Sequence, residues 1–153
     1  MRSAKKWPDT RTRAKIYLGL AGVLAVTGCG DGKIGRAPVH GSVTVDGKPA
    51  AGVVLFFCPV GGSPEVQKVR PMGITGEDGK FELTTVDKAD GAPPSQYKVI
   101  MMWPAAGAPG QDGSIQMGPD RLQNRYMNLE KSQFSVEVKS GNNDVPPFEL
   151  KSK

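Results

Sequence analysis

The sequence predicts an all-β fold: a single seven-strand antiparallel sandwich of the prealbumin or immunoglobulin type, behind an N-terminal segment of different character. Three observations predict it. The chain holds 20 Gly and 13 Pro in 153 residues, spread along its length. That suits many short strands and tight turns better than long helices. Apolar and polar residues alternate with period two in segments roughly ten residues apart, a sandwich spacing. Asp-Gly pairs at 46–47 and 78–79 fall between such segments, where tight turns belong.

Taken in order, 39–45 alternates Val39, Gly41, Val43 and Val45 with polar partners. Residues 51–58 are nearly all apolar, as in a strand covered on both faces. A short candidate follows at 71–75. Segment 80–84 places Phe81 and Leu83 on one face. Residues 87–94 read as a loop, and 96–102 as a strand closed by Trp103-Pro104. Segment 132–139 sets Phe134, Val136 and Val138 on one face, and 145–151 turns Phe148 and Leu150 inward. Residues 105–129 break the rhythm. A loop that long in a compact domain is either functional or an insertion accommodated at one end of the sandwich.

The N-terminal segment reads differently. Residues 1–15 are polar and basic, and 16–26 are apolar and uncharged. A helix of that length rises only ~16 Å, against a hydrocarbon core of ~30 Å. The order of basic flank, short apolar core and small residues is that of a secretory signal. Its end, Val26-Thr27-Gly28-Cys29, resembles the lipobox of bacterial lipoproteins. The resemblance implies cleavage between Gly28 and Cys29, with lipid on the Cys29 thiol. Small residues before the cut let the backbone enter the peptidase. More than one acyl chain is needed for stable anchoring. The expected organisation is a signal peptide at 1–28, a lipidated tether at 29–38 and a sandwich at 39–151. Gly30 stands where Asp favours inner-membrane retention in some bacteria, which points to the outer membrane or its periplasmic face. An ordinary signal cut nearby would instead leave Cys29 and Cys58 able to pair. Under the lipoprotein reading Cys58 is unpaired and serves as a small core residue.

Charge follows the same division. The chain carries a formal +5. Residues 1–28 hold six basic side chains and one acid, so the rest is balanced at 14 of each sign. No basic stripe remains for phosphates, and nucleic acid is not an expected partner. The expected partners are the membrane, through Cys29, and a glycan or envelope protein.

Three blocks in the domain resemble the carboxypeptidase regulatory-like, or transthyretin-like, β-sandwich family. They are Gly41-Ser-Val-Thr-Val-Asp-Gly-Lys-Pro49, Thr75-Gly-Glu-Asp-Gly-Lys-Phe81, and Gly91-Ala-Pro-Pro-Ser-Gln-Tyr-Lys-Val99. The second departs from the family at Gly76, where Asp is usual. The likeness spans about residues 38–151. Gly47 and Gly79 supply the positive φ these turns need, and Phe81 and Tyr97 anchor a core with few other aromatics.

The residues argue against an enzyme. His40 is the only histidine, and it alternates toward solvent. Hydrolysis needs a base beside a nucleophile. Some transthyretin-like proteins hydrolyse an oxidised urate product with several His and Arg and a C-terminal Tyr-Arg-Gly-Ser; this chain ends Leu150-Lys151-Ser152-Lys153. One His and two separated Cys do not build a zinc site, and the Asp-Gly pairs are not clustered as calcium loops require. No catalytic residue, metal or cofactor is expected. Trp103 and Tyr126, flanking the long loop, are the candidate ligand contacts, because aromatic faces stack on sugars.

Overall fold

The structure is a computed structural model that describes residues 34–107 and 117–153. The 1–28 signal segment, Gly28 and Cys29 with it, and the first part of the 29–38 tether lie outside the described residues, as do 108–116.

Strand β1 (Val39–Val45) is the hub of one sheet. Val39, Val43 and Val45 are buried, while His40, Ser42 and Thr44 face the other way. Strands β2 (Lys48–Pro49) and β5 (Lys80–Glu82) pair with it antiparallel. Strands β8 (Asn143–Asp144) and β9 (Phe148–Leu150) pair with it parallel. The second sheet is antiparallel throughout, in the order β4 (Met72–Ile74), β3 (Val54–Pro59), β6 (Ser95–Met102), β7 (Ser135–Val138). The two sheets enclose one core. Met72 and Thr84 exchange backbone hydrogen bonds of 2.9 and 2.8 Å, which joins the sheets along one seam.

All seven expected segments contain a strand, but the expected count and pairing need correction. Nine strands form among the described residues, because the two-residue β2 and β8 also pair. The sandwich is not wholly antiparallel. Asn143 reaches Pro38 by both its backbone and side-chain nitrogens, and this holds the returning chain parallel to β1. A short helix, α1 (Pro64–Lys68), also forms, capped by Ser63 with Pro64 in its first turn.

The core is aromatic. Phe57 lies 5.9 Å from Tyr97, 6.3 Å from Phe81 and 6.4 Å from Phe148, ring centre to ring centre. Phe81 stacks on Phe148 at 6.1 Å and 14°. Two inward positions near Phe81 are glycine. A Cβ at Gly41 would come within 2.7 Å of the Phe81 ring, and one at Gly73 within 3.2 Å. Their missing side chains make room for the ring.

Tyr97 is fully buried and donates its hydroxyl to the Pro93 carbonyl at 2.7 Å. A tyrosine near the start of a strand, bonded to backbone a few residues upstream, is a device of Greek-key sandwiches. Burial pushes this hydroxyl up to about 12. In the unfolded chain it ionises near 10. The stability it contributes is therefore present below pH 10 and lost as pH rises from 10 toward 12. Tyr97→Phe is expected to cost about 1–2 kcal/mol near neutral pH, through the buried Pro93 carbonyl left without its donor. It should also flatten the alkaline decline. Urea melts across pH 7–11 check both.

The strands define two poles. One carries the turn and helix at 60–71, the loop 85–94 and the turn 139–142; the described chain comes in here. The other carries the Asp46-Gly47 turn, the 75–79 turn, the described parts of the long loop and the C-terminus.

Candidate functional site

A groove of about 620 Å³ runs along the outer faces of β1, β5 and β4. Register builds it. His40 lies opposite Glu82 and Ser42 opposite Lys80, and Met72 meets Thr84 across the seam. His40, Lys80, Glu82, Lys88, Met72 and Ile74 line it. Ile74 is 54% exposed on an otherwise charged edge. His40 Nδ1 sits 3.6 Å from Glu82 Oε1, and Lys80 Nζ 3.2 Å from Asp78. The groove thus offers an apolar stripe with ionic rims. It joins a base to a carboxylate, and the hydroxyl in its lining, that of Thr84, accepts from the Ala89 N–H at 3.0 Å. Among the described residues no group of three His, Cys, Asp or Glu could hold a metal.

Trp103 and Tyr126 lie at the other pole, and both are half-buried against the core. Trp103 donates its indole N–H to the Ala51 carbonyl at 2.8 Å, and Arg121 sits 4.9 Å from its ring centre. The Tyr126 hydroxyl accepts from the Lys151 N–H at 2.9 Å, and its ring packs 6.0 Å from Phe134. These contacts tie the long loop to the sandwich. Asp120 organises the tie, a role the sequence reading missed. Its carboxylate accepts from the backbone N–H of Trp103 (2.7 Å), Leu122 (3.1 Å) and Asn124 (2.8 Å). Leu122, beside it, is buried in the core. An Asp two residues before a Leu in a largely polar stretch was the available signal.

Cys58 is a free thiol and buried, on the face of β3 opposite Phe57. Burial pushes it up, and the nearby Arg70 offsets this only in part. That is the setting of an unreactive thiol.

Beside the groove, Asp90 closes the loop 85–91. It accepts from the N–H groups of Thr85 (2.6 Å), Asp87 (2.9 Å) and Val86 (3.1 Å). Arg36 Nε lies 2.8 Å from the same carboxylate. Burial alone would raise this carboxyl, but the three N–H groups and Arg36 outweigh it and hold it below the ordinary range. Its unfolded value is about 3.9. The stability it supplies is therefore present above that pH and lost as pH falls through the lower folded value. Asp90→Asn is expected to cost about 2 kcal/mol at neutral pH. The gap to the parent should narrow below about pH 4. Denaturant melts between pH 2 and 7 measure it.

The described residues therefore form a two-sheet β-sandwich domain with a laterally placed apolar groove and an organised loop at one pole. Comparison with known proteins adds no family. No family model matches the chain, and no curated protein does. Among the solved structures similar to it in part are two of different kinds. One is a 9R-lipoxygenase from Cyanothece PCC8801, at 13% identity and a TM-score of 0.42 over 76% of this chain. The other is a DUF3823 family protein from Parabacteroides merdae ATCC 43184, at 14% identity and a TM-score of 0.37 over 74%. The chain spans 16% of the first and 45% of the second. Likeness at this level carries no argument about function.

Proposed function

We propose that this chain is a non-enzymatic, lipid-anchored protein of the cell envelope, whose sandwich domain acts as a structural or adaptor module. One observation carries the reading: Val26-Thr27-Gly28-Cys29 directly follows an uncharged apolar run with a basic flank. Two others support it. The net positive charge of the chain resides in the segment that cleavage would remove. The packed domain takes hold at Arg36, shortly beyond Cys29.

The carboxypeptidase regulatory-like reading of the domain draws support from what its blocks do. Thr75 is buried and bonds both the Ala50 carbonyl and the Val53 N–H, pinning the turn before β3. Asp78 accepts from the Lys80 N–H in the next turn. Phe81 and Tyr97 enter the core. An adaptor role is preferred over glycan stacking because Trp103 and Tyr126 are already engaged by Ala51, Arg121 and Lys151.

Cys29→Ser tests the anchor. The parent chain is expected in the membrane fraction, with an N-terminal peptide that begins at an acylated Cys29. The variant should leave that fraction almost entirely. An intact 1–28 segment, or an unmodified Cys29 in membrane-bound parent protein, would overturn the reading.

A further inference from the structure

We infer that the pole formed by 60–71, 85–94 and 139–142 rests on the bilayer that holds the anchor, and that the pole carrying Trp103 and Tyr126 points away from it. The inference rests on the lipid at Cys29. Its occupant is the membrane surface itself.

The first argument is where the described chain begins. Arg36 is held by Asp90, and Ala37 exchanges backbone hydrogen bonds of 2.8 and 3.0 Å with Ala92. Most of the tether's last residues are therefore part of the domain, not free linker. Only six residues lie between Cys29 and Arg36, so the seven steps from one to the other reach at most ~25 Å fully extended. That fastening lies at the pole in question, because β1 starts there and runs away from it. A strand of this length spans about 20 Å. To turn the other pole to the bilayer, the tether would have to run stretched along the whole domain. The inferred orientation requires no such span.

The second argument is what that pole exposes. Val60 is 53% and Val86 69% exposed, each on a different segment of the pole. Lys68, Lys88 and Lys139 are exposed around them. Acids are present too, with Asp87 exposed beside Val86 and paired loosely to Arg36 at 3.9 Å. The surface is thus nearly neutral and apolar-tipped. It suits insertion of short apolar side chains at the headgroup level, with lysine stems reaching the phosphates.

The test uses the full chain, produced with its leader, purified as the lipoprotein and reconstituted in vesicles of phosphatidylethanolamine and phosphatidylglycerol. Val60→Cys and Val86→Cys report on one pole, and Glu77→Cys on the other. All three sites are exposed. Cys58 is buried, and labelling of the unsubstituted chain is the control for it. An environment-sensitive fluorophore is attached, and spin-labelled lipid headgroups serve as quencher. Quenching at 60 and 86 is expected to exceed that at 77 several-fold. Equal or reversed quenching in a chain that floats with the vesicles overturns the orientation and leaves the anchor standing. A chain that does not float overturns both.

Discussion

Gly91→Ala is expected to destabilise the domain by more than about 3 kcal/mol, enough to leave much of it unfolded. Gly91 has φ +79°, a conformation in which a side chain is strained by about 1–2 kcal/mol. A methyl group there would also overlap the Ala37 carbonyl oxygen. The backbone cannot step aside, because the flanking bonds are all in use. Gly91 donates to Leu83 at 2.9 Å and accepts from the Thr85 hydroxyl at 2.5 Å. Its neighbours Asp90 and Ala92 hold Arg36 and Ala37. Gly47→Ala is the control. Gly47 also has positive φ, at +77°, but nothing lies within 4 Å of where its Cβ would stand. It should lose only about 1–2 kcal/mol. Equilibrium denaturation of the two variants separates the strain from the overlap. Equal losses would mean that the Ala37 backbone does not lie against Gly91.

Phe57→Ala is expected to cost about 3–5 kcal/mol. Its side chain is 0% exposed and touches the rings of Phe81, Tyr97 and Phe148, so its removal opens a cavity where both sheets meet. Phe56→Ala, on the opposite face of the same strand and only half-buried, should cost clearly less. Guanidinium melts of the pair decide which phenylalanine belongs to the core. A reversed order would mean that β3 is shifted by one residue, since a one-residue slip exchanges its faces.

That parity was only half legible in the sequence. Alternation in 39–45 and 80–84 announced which side faces inward, and Phe81, Val43 and Leu83 are buried as it implied. The unbroken apolar run around β3 carries no alternation, so Phe56 and Phe57 could not be told apart. Pairing direction was also hidden. Nothing in 145–151 distinguishes a strand running along β1 from one running against it, because the choice is made by Asn143 bonding to a residue more than a hundred positions away. Helix α1 is five residues long, too short for periodicity, though Ser63-Pro64-Glu65 is a helix-start signal that went unread. The groove was illegible for a geometric reason. It gathers outward residues of β1, β4 and β5, each unremarkable on its own strand, and only register brings them together. The segment Val26–Cys29, which we propose is a lipobox, is the opposite case, since its resemblance is carried by four consecutive residues and needs no fold to be recognised.

The parallel pairing of β1 with β9 has a mechanical meaning. The described chain arrives at the start of β1 and departs after the end of β9, at opposite poles. A force drawing those two ends apart acts along the strands rather than across them. The rungs between Val43–Phe148 and Val45–Leu150 then bear the load together instead of unzipping one after another. Such a domain yields late and abruptly when pulled by its ends, and it holds its shape as a link under tension.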